Sequence, residues 1–209
     1  MNARFVGTIG GLVQRGRKLF ALSNNHVLAD TNRLPRGATQ IVQPAGSNRS
    51  DIFATLSDFE RIRFPMMGSD PRNRIDAAIA EVTNSSLVAT GQMLQISNYR
   101  AQLATPMPNT DVTKSGQTTG VTTGTIIATR VNGVRVDYGT PGRPLIATFD
   151  NCMEIRGKSG AFSMPGDSGS LILDKRTGRA VGLLFAGAGN ITTGCDLGET
   201  LQRFRVGLA

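Results

Sequence analysis

Pro165-Gly166-Asp167-Ser168-Gly169-Ser170, running directly into the apolar Leu171-Ile172-Leu173, is the most informative stretch of the chain. A serine with glycine two residues before it and one residue after it lies where the backbone turns sharply and can approach a ligand closely. The N–H groups of Gly166 and Ser168 can then point into one small space, the arrangement that stabilises a developing oxyanion. Gly, Ser and Asp are also ordinary turn residues, so the stretch needs partners elsewhere before it means chemistry.

A nucleophilic serine needs a general base that titrates near neutral pH. The chain of 209 residues holds one histidine, His26, within Leu22-Ser23-Asn24-Asn25-His26-Val27-Leu28-Ala29, after an apolar strand and at the start of a helical turn. A carboxylate at the head of an apolar strand would be buried and could orient the imidazole. Asp76, in Arg74-Ile75-Asp76-Ala77-Ala78-Ile79, is the acidic residue of the first half that fits. The chain order His26, Asp76, Ser168 is that of the chymotrypsin-type β-barrels and differs from the orders used by subtilisins and α/β-hydrolases.

The remaining composition agrees with this reading. Two cysteines, Cys152 and Cys195, and one histidine exclude a disulfide-dense scaffold, a four-thiolate zinc site and two-histidine metal motifs, so no metal or cofactor is expected. No apolar run reaches the ~18 residues of a membrane span. The net charge of +8 comes from 23 Lys+Arg against 15 Asp+Glu. The arginines are scattered, with no basic helical stripe or tail, so nucleic acid is not the expected partner. Short strand-like segments dominate, separated by Asn132-Gly133, Pro141-Gly142 and Thr177-Gly178 turns, and Asn132-Gly133 predicts a hairpin between 126–131 and 134–138. Helical spacing is confined to Asn25–Asp30 and to Leu197–Arg205, where Leu197, Leu201 and Phe204 share a face. The Pro106/Pro108 region reads as a boundary, giving two β units, 1–103 with His26 and Asp76, and 104–209 with Ser168. The N-terminal Thr8–Val13 reads as a strand and not as a cleaved leader, so a cytoplasmic chain with free thiols is expected.

Ser-Asn-Asn-His-Val at 23–27, Ile-Asp-Ala-Ala-Ile at 75–79, Gly-Asp-Ser-Gly-Ser at 166–170 and Val-Gly-Leu-Leu-Phe-Ala-Gly at 181–187 together resemble the trypsin/chymotrypsin-like serine peptidases. Lys114 through Gly124, a Lys-x-Gly-x-Thr-Thr-Gly-x-Thr-x-Gly segment, is similar to the intracellular bacterial and plant branch. The resemblance implies an all-β fold of two six-stranded antiparallel β-barrels with a short C-terminal helix and a cleft between them.

It also implies an endopeptidase in which Ser168 attacks the peptide carbonyl and His26 moves the proton. Asp76 would orient the imidazole, and the N–H groups of Gly166 and Ser168 would bind the oxyanion. The substrate would be a protein or peptide, with limited processing of a partner, such as an effector encoded nearby, expected over bulk digestion. The competing reading is a catalytically silent module of the same fold, binding or capsid-like, that contacts nucleic acid or an acidic protein. Aligned through the nucleophile motif, the primary pocket has Phe162 at its base and Ser163, Pro165, Phe185, Ala186 and Gly187 in its walls, which suits a small or apolar residue. Phe162 can alternatively pack in the barrel, and Asp196 or Glu199 can reach the pocket from beyond. Asp167, which a new N-terminus engages in secreted zymogens, needs another partner here, either an arginine or backbone donors.

Overall fold

The computed structural model describes residues 6–44 and 49–209. In chain order the strands are β1 (Gly11–Arg15), β2 (Lys18–Ser23), β3 (Gln40–Val42), β4 (Ile52–Phe59), β5 (Arg72–Asn73), β6 (Ala78–Val82), β7 (Arg100–Leu103) and β8 (Asp111–Gly116). They continue as β9 (Gly120–Val131), β10 (Val134–Asp137), β11 (Ile146–Phe149), β12 (Cys152–Gly157), β13 (Leu171–Asp174), β14 (Arg179–Ala188), β15 (Ile191–Asp196) and β16 (Gly207–Leu208). Two α-helices, α1 (Asn25–Leu28) and α2 (Leu197–Phe204), fall where helical spacing predicted them.

The second half closes on itself. Its sheet runs β13-β8-β9-β12-β15-β14, and β13 pairs again with β14, which makes a six-stranded barrel to which β7 adds a parallel edge. The first unit is a six-stranded sheet in the order β16-β1-β2-β6-β4-β3, five strands from the first half of the chain and β16 from its C-terminal end. Among the described residues its edge strands, two and three residues long, are not hydrogen-bonded to each other. The architecture remains the expected all-β pair of six-stranded units with a short C-terminal helix.

Period-2 side-chain alternation explains how one set of strands builds three cores. In β2, Phe20 and Leu22 face one way and Ala21 the other, and Ile79 alternates likewise with Ala78 and Ala80 in β6. The alanine face joins Leu28, Phe53, Leu56 and Phe59 inside the first unit. The opposite face meets Leu171, Leu173, Leu183 and Phe185 of the second unit. Their intervening neighbours Ile172 and Leu184 fill the second barrel with Val112, Ile126, Ile155 and Phe162. Each such fully buried Phe or Leu contributes roughly 1.5–3 kcal/mol of apolar burial. The interface between the units is therefore a hydrophobic core in its own right.

Gly133 takes φ +76°, but Asn132-Gly133 forms neither a hydrogen-bonded turn nor the predicted hairpin. Strand β9 pairs with β8 through 120–125 and with β12 up to Val131, and its end is bent by Arg130 at φ +56°, so 126–131 does not run back against β10. Strand β10 pairs instead with β11, and β11 takes β5 of the first half in parallel, aligning Phe149 with Asn73. This small third sheet lies three residues upstream of Asp76 and bridges the two halves.

Candidate active site

Helix α1 begins one residue after β2 ends and presents His26 in its single turn. Two features of the Ser-Asn-Asn-His stretch fix that turn. The Asn24 amide donates to the Asp76 carbonyl at 2.6 Å. The buried Asn25 side-chain amide donates to Asn32 Oδ1 and to the Glu60 carbonyl, and Asn25 Oδ1 accepts from Asn32 N–H. The latter contacts hold Asp30, Thr31 and Asn32 at φ 45°, 55° and 70°, three consecutive non-glycine residues in the left-handed region, which bend the chain away from the imidazole.

Asp76 is fully buried. Its Oδ1 accepts the N–H groups of Asn25 at 2.7 Å and His26 at 3.3 Å. Its Oδ2 lies 2.6 Å from His26 Nδ1 and accepts the Tyr138 hydroxyl at 2.9 Å. These four donors compensate the burial of the carboxylate. Because a carboxylate only accepts, the imidazole is assigned the Nδ1–H tautomer, which leaves Nε2 with a lone pair.

Ser168 sits in a loop that requires both of its glycines. Gly166 at φ +102° and Gly169 at φ +97° occupy backbone conformations that L side chains rarely adopt. A β-carbon on Gly169 would also collide with the Thr8 carbonyl and the Ser23 hydroxyl. Within the loop the N–H groups of Asp167, Gly169 and Ser170 donate to Met164, Leu184 and Asp167 carbonyls. Among the described residues those of Gly166 and Ser168 donate to no protein acceptor.

Thr8 fastens this loop to the first unit: its N–H donates to the Ser168 carbonyl at 2.8 Å, its hydroxyl donates to the Gly166 carbonyl at 3.0 Å, and its carbonyl accepts Ser23 Oγ. A β-carbon on Gly7 would lie 2.7 Å or less from the Val27 methyls and 3.1 Å from the Ser168 carbonyl oxygen, so the His26 turn and the serine loop meet across Gly7. No hydrogen bond joins Ser168 Oγ to His26 among the described residues.

Asp167 finds a partner that the sequence reading did not name. Lys114 Nζ, from β8, lies 3.3 Å from Asp167 Oδ2, and both side chains have 0% exposure. Burial alone would raise the Asp167 carboxyl. Hydrogen bonds from Thr119 Oγ1 and from the N–H groups of Met164, Thr119 and Thr118 outweigh it and hold the carboxyl below the usual value. Burial lowers the Lys114 ammonium, which Asp167 partly offsets, and Lys114 also donates to Gly120 O at 2.9 Å and to Thr119 Oγ1. The expected backbone donors are therefore present, and the cation is a lysine and not an arginine. A lysine inside the apolar-edged Asp111-Val112-Thr113-Lys114 strand was the available signal.

The expected pocket residues divide. Ser163 and Gly187 come together beside Thr192, whose hydroxyl is 2.7 Å from Ser163 Oγ. Pro165 is exposed and Ala186 half-buried. Phe162 and Phe185 are buried, Phe162 at 0% in the second barrel and Phe185 against Phe149 with ring centroids 4.8 Å apart. Phe162 therefore lines no open pocket, and its alternative placement in the barrel is the one observed. Asp196 caps α2 by accepting Glu199 N–H, and Glu199 pairs with Arg74, so both carboxylates are engaged away from Ser163. Cys152 and Cys195 are buried free thiols, and burial pushes both up, that of Cys195 to about 12. No helix among the described residues is long and apolar enough to cross a membrane.

No protein-family model matches the chain, and no curated protein matches it significantly. Solved structures do. Thermobifida fusca protease A superposes with a TM-score of 0.66 at 20% identity, over 99% of this chain and 92% of its own. Cellulomonas bogoriensis chymotrypsin gives 0.62 at 20% identity over 96% and 89%. Nocardiopsis protease gives 0.58 at 21% over 96% and 90%. With two six-stranded units packed through a shared core, the chain has the fold of the chymotrypsin-like serine proteases.

Proposed function

We propose that the chain is a serine endopeptidase acting on protein or peptide substrates. The observation that carries this reading is the coincidence of two preorganised devices on one seam. A buried Asp76 holds His26 Nδ1 at 2.6 Å, and the loop across Gly7 offers Ser168 with two uncommitted N–H groups. In this reading Ser168 Oγ attacks the scissile carbonyl and forms the acyl-enzyme. His26 Nε2 takes the hydroxyl proton and returns it to the leaving amine, and water then hydrolyses the ester by the reverse proton path. The Gly166 and Ser168 N–H groups receive the oxyanion, each such donor being worth about 10²–10³ in kcat. A Ser–His bond that tightens only on substrate binding is ordinary for an unliganded hydrolase.

The Lys114–Asp167 pair supports a loop set without a new N-terminus, because the carboxylate beside Ser168 already has its cation and four hydrogen-bond donors. Ser163, Gly187 and Thr192 come together at the expected pocket wall, and their short side chains suit a small P1 residue. Limited processing of a protein partner is the role proposed, in preference to digestion. The experiment is a peptide library digested by wild type and by Ser168→Ala, with product N-termini sequenced. Cleavage after small residues that Ser168→Ala abolishes is the expected result. Equal cleavage by both proteins overturns the assignment, and an inert wild type with steeply salt-dependent nucleic-acid binding favours a silent module.

A further inference from the structure

Tyr138 immediately follows β10, in the second half of the chain, yet its hydroxyl reaches Asp76 of the first. It donates at 2.9 Å to Oδ2, the same oxygen that holds His26 Nδ1. Its ring lies 5.6 Å from the imidazole centroid and is wedged by Phe64 and Phe149, with centroids 6.1 and 6.2 Å away. Asp137 anchors the backbone on either side of the following turn by accepting the N–H groups of Gly139 and Leu145. The β5–β11 pairing fixes the approach to Asp76 against the same sheet. Tyr99, the other tyrosine, is buried with a hydroxyl that has no hydrogen-bond partner among the described residues, so burial alone does not explain the Tyr138 bond.

We propose that Tyr138 is a positioning residue of the triad, locking the Asp76 carboxylate so that the imidazole orientation depends on the docking of the two halves. This inference rests on the catalytic reading above for its kinetic consequences but not for its geometry. Oδ1 is held by two backbone N–H groups, and Oδ2 is shared by Nδ1–H and the phenol. With the phenol in place the carboxylate cannot pivot about its Cβ–Cγ bond. Without it, Oδ2 keeps more charge for the imidazole and one restraint is lost. The other titratable groups around the phenol, Cys152 and Cys195, are held protonated by burial, and burial with the Asp76 charge keeps the phenol itself a donor.

The single histidine makes the test clean, because the downfield imidazole proton resonance reports His26 alone. In wild type a cross-peak is expected between the His26 Nδ1 proton and a slowly exchanging tyrosine hydroxyl proton. In Tyr138→Phe the imidazole resonance moves, kcat falls about tenfold with KM unchanged, as for loss of one hydrogen bond to a charged group, and the acid limb of the kcat/KM profile shifts to higher pH. Tyr99→Phe leaves all three as in wild type. An imidazole resonance identical in wild type and Tyr138→Phe overturns the proposal. So does a wild-type spectrum without the cross-peak, which decides the matter even if Tyr138→Phe does not fold. Spectral changes as expected in a protein that never hydrolyses peptide uphold the positioning geometry and sink the catalytic reading instead.

Discussion

Lys114→Met removes the charge beside Asp167 and keeps most of the side-chain volume. Both partners have 0% exposure. Removing one member of a buried pair costs about 3–5 kcal/mol, because the charge left behind is unpaired. The two deletions are not equivalent here. After Lys114→Met the Asp167 carboxylate still accepts from Thr118 N, Thr119 N, Thr119 Oγ1 and Met164 N, which places the cost near the lower end, about 3 kcal/mol. Asp167→Asn leaves the buried Lys114 ammonium with neutral acceptors alone, Thr119 Oγ1, Gly120 O and the new amide, which places it nearer about 5 kcal/mol. Urea unfolding measures both: with m near 2 kcal/mol/M, the midpoint of Lys114→Met falls by roughly 1.5 M. The double variant should cost at least about 2 kcal/mol less than the sum, since neither charge is then stranded. Serine labelling should slow in step, because the loop bearing the free Gly166 and Ser168 N–H groups is built around Asp167. A Lys114→Met protein within about 0.5 kcal/mol of wild type, the usual range for surface changes, or strict additivity in the double variant, refutes the reasoning.

Three further outcomes are expected. Gly169→Ala, at φ +97° and against the Thr8 carbonyl and Ser23 hydroxyl, should lower kcat about 10²-fold or more by displacing Ser168, read from hydrolysis rates on folded protein. Phe162→Ala should cost about 3–5 kcal/mol of stability by emptying its place in the second barrel, read from urea midpoints. Asp167 has a carboxyl held below its ordinary 3.8, so its contribution to stability is present above that pH and is lost as pH falls below it. Unfolding midpoints should therefore drop as the pH falls below 3.8, and the drop attributable to this group should be absent in Asp167→Asn.

Much of the architecture was legible because it rests on local rules. Period-2 runs such as Lys18–Ser23 and Ala77–Val82 became β2 and β6 within a residue, and the Leu197–Arg205 spacing became α2, capped by Asp196. The triad candidates were legible because each needs a distinctive local setting, and the geometry joins His26 to Asp76 directly. What escaped were non-local decisions. Asn132-Gly133 carries hairpin chemistry, but the strand that follows it pairs with β11 and not with β9, a choice made by non-local partners. Short strands β5 and β16 exist only because a partner strand from the other half reaches them. Tyr138 and Lys114 have no pattern of their own. Each is defined by a contact 62 or roughly 50 residues away, and a buried lysine departs from the usual exclusion of charge, which its Asp167 partner permits. The +8 charge stays partly accounted for, with Arg36, Arg72, Arg74 and Arg203 committed to carboxylates at the surface.

The central claim is that Ser168 is a nucleophile activated by His26. Reaction of the wild-type chain with a fluorophosphonate, followed by intact mass and peptide mapping, tests it most directly. The account requires one adduct per chain, located on Ser168, formed by wild type and lost in both Ser168→Ala and His26→Ala. No adduct on folded wild type, an adduct on another residue, or undiminished labelling in His26→Ala contradicts it.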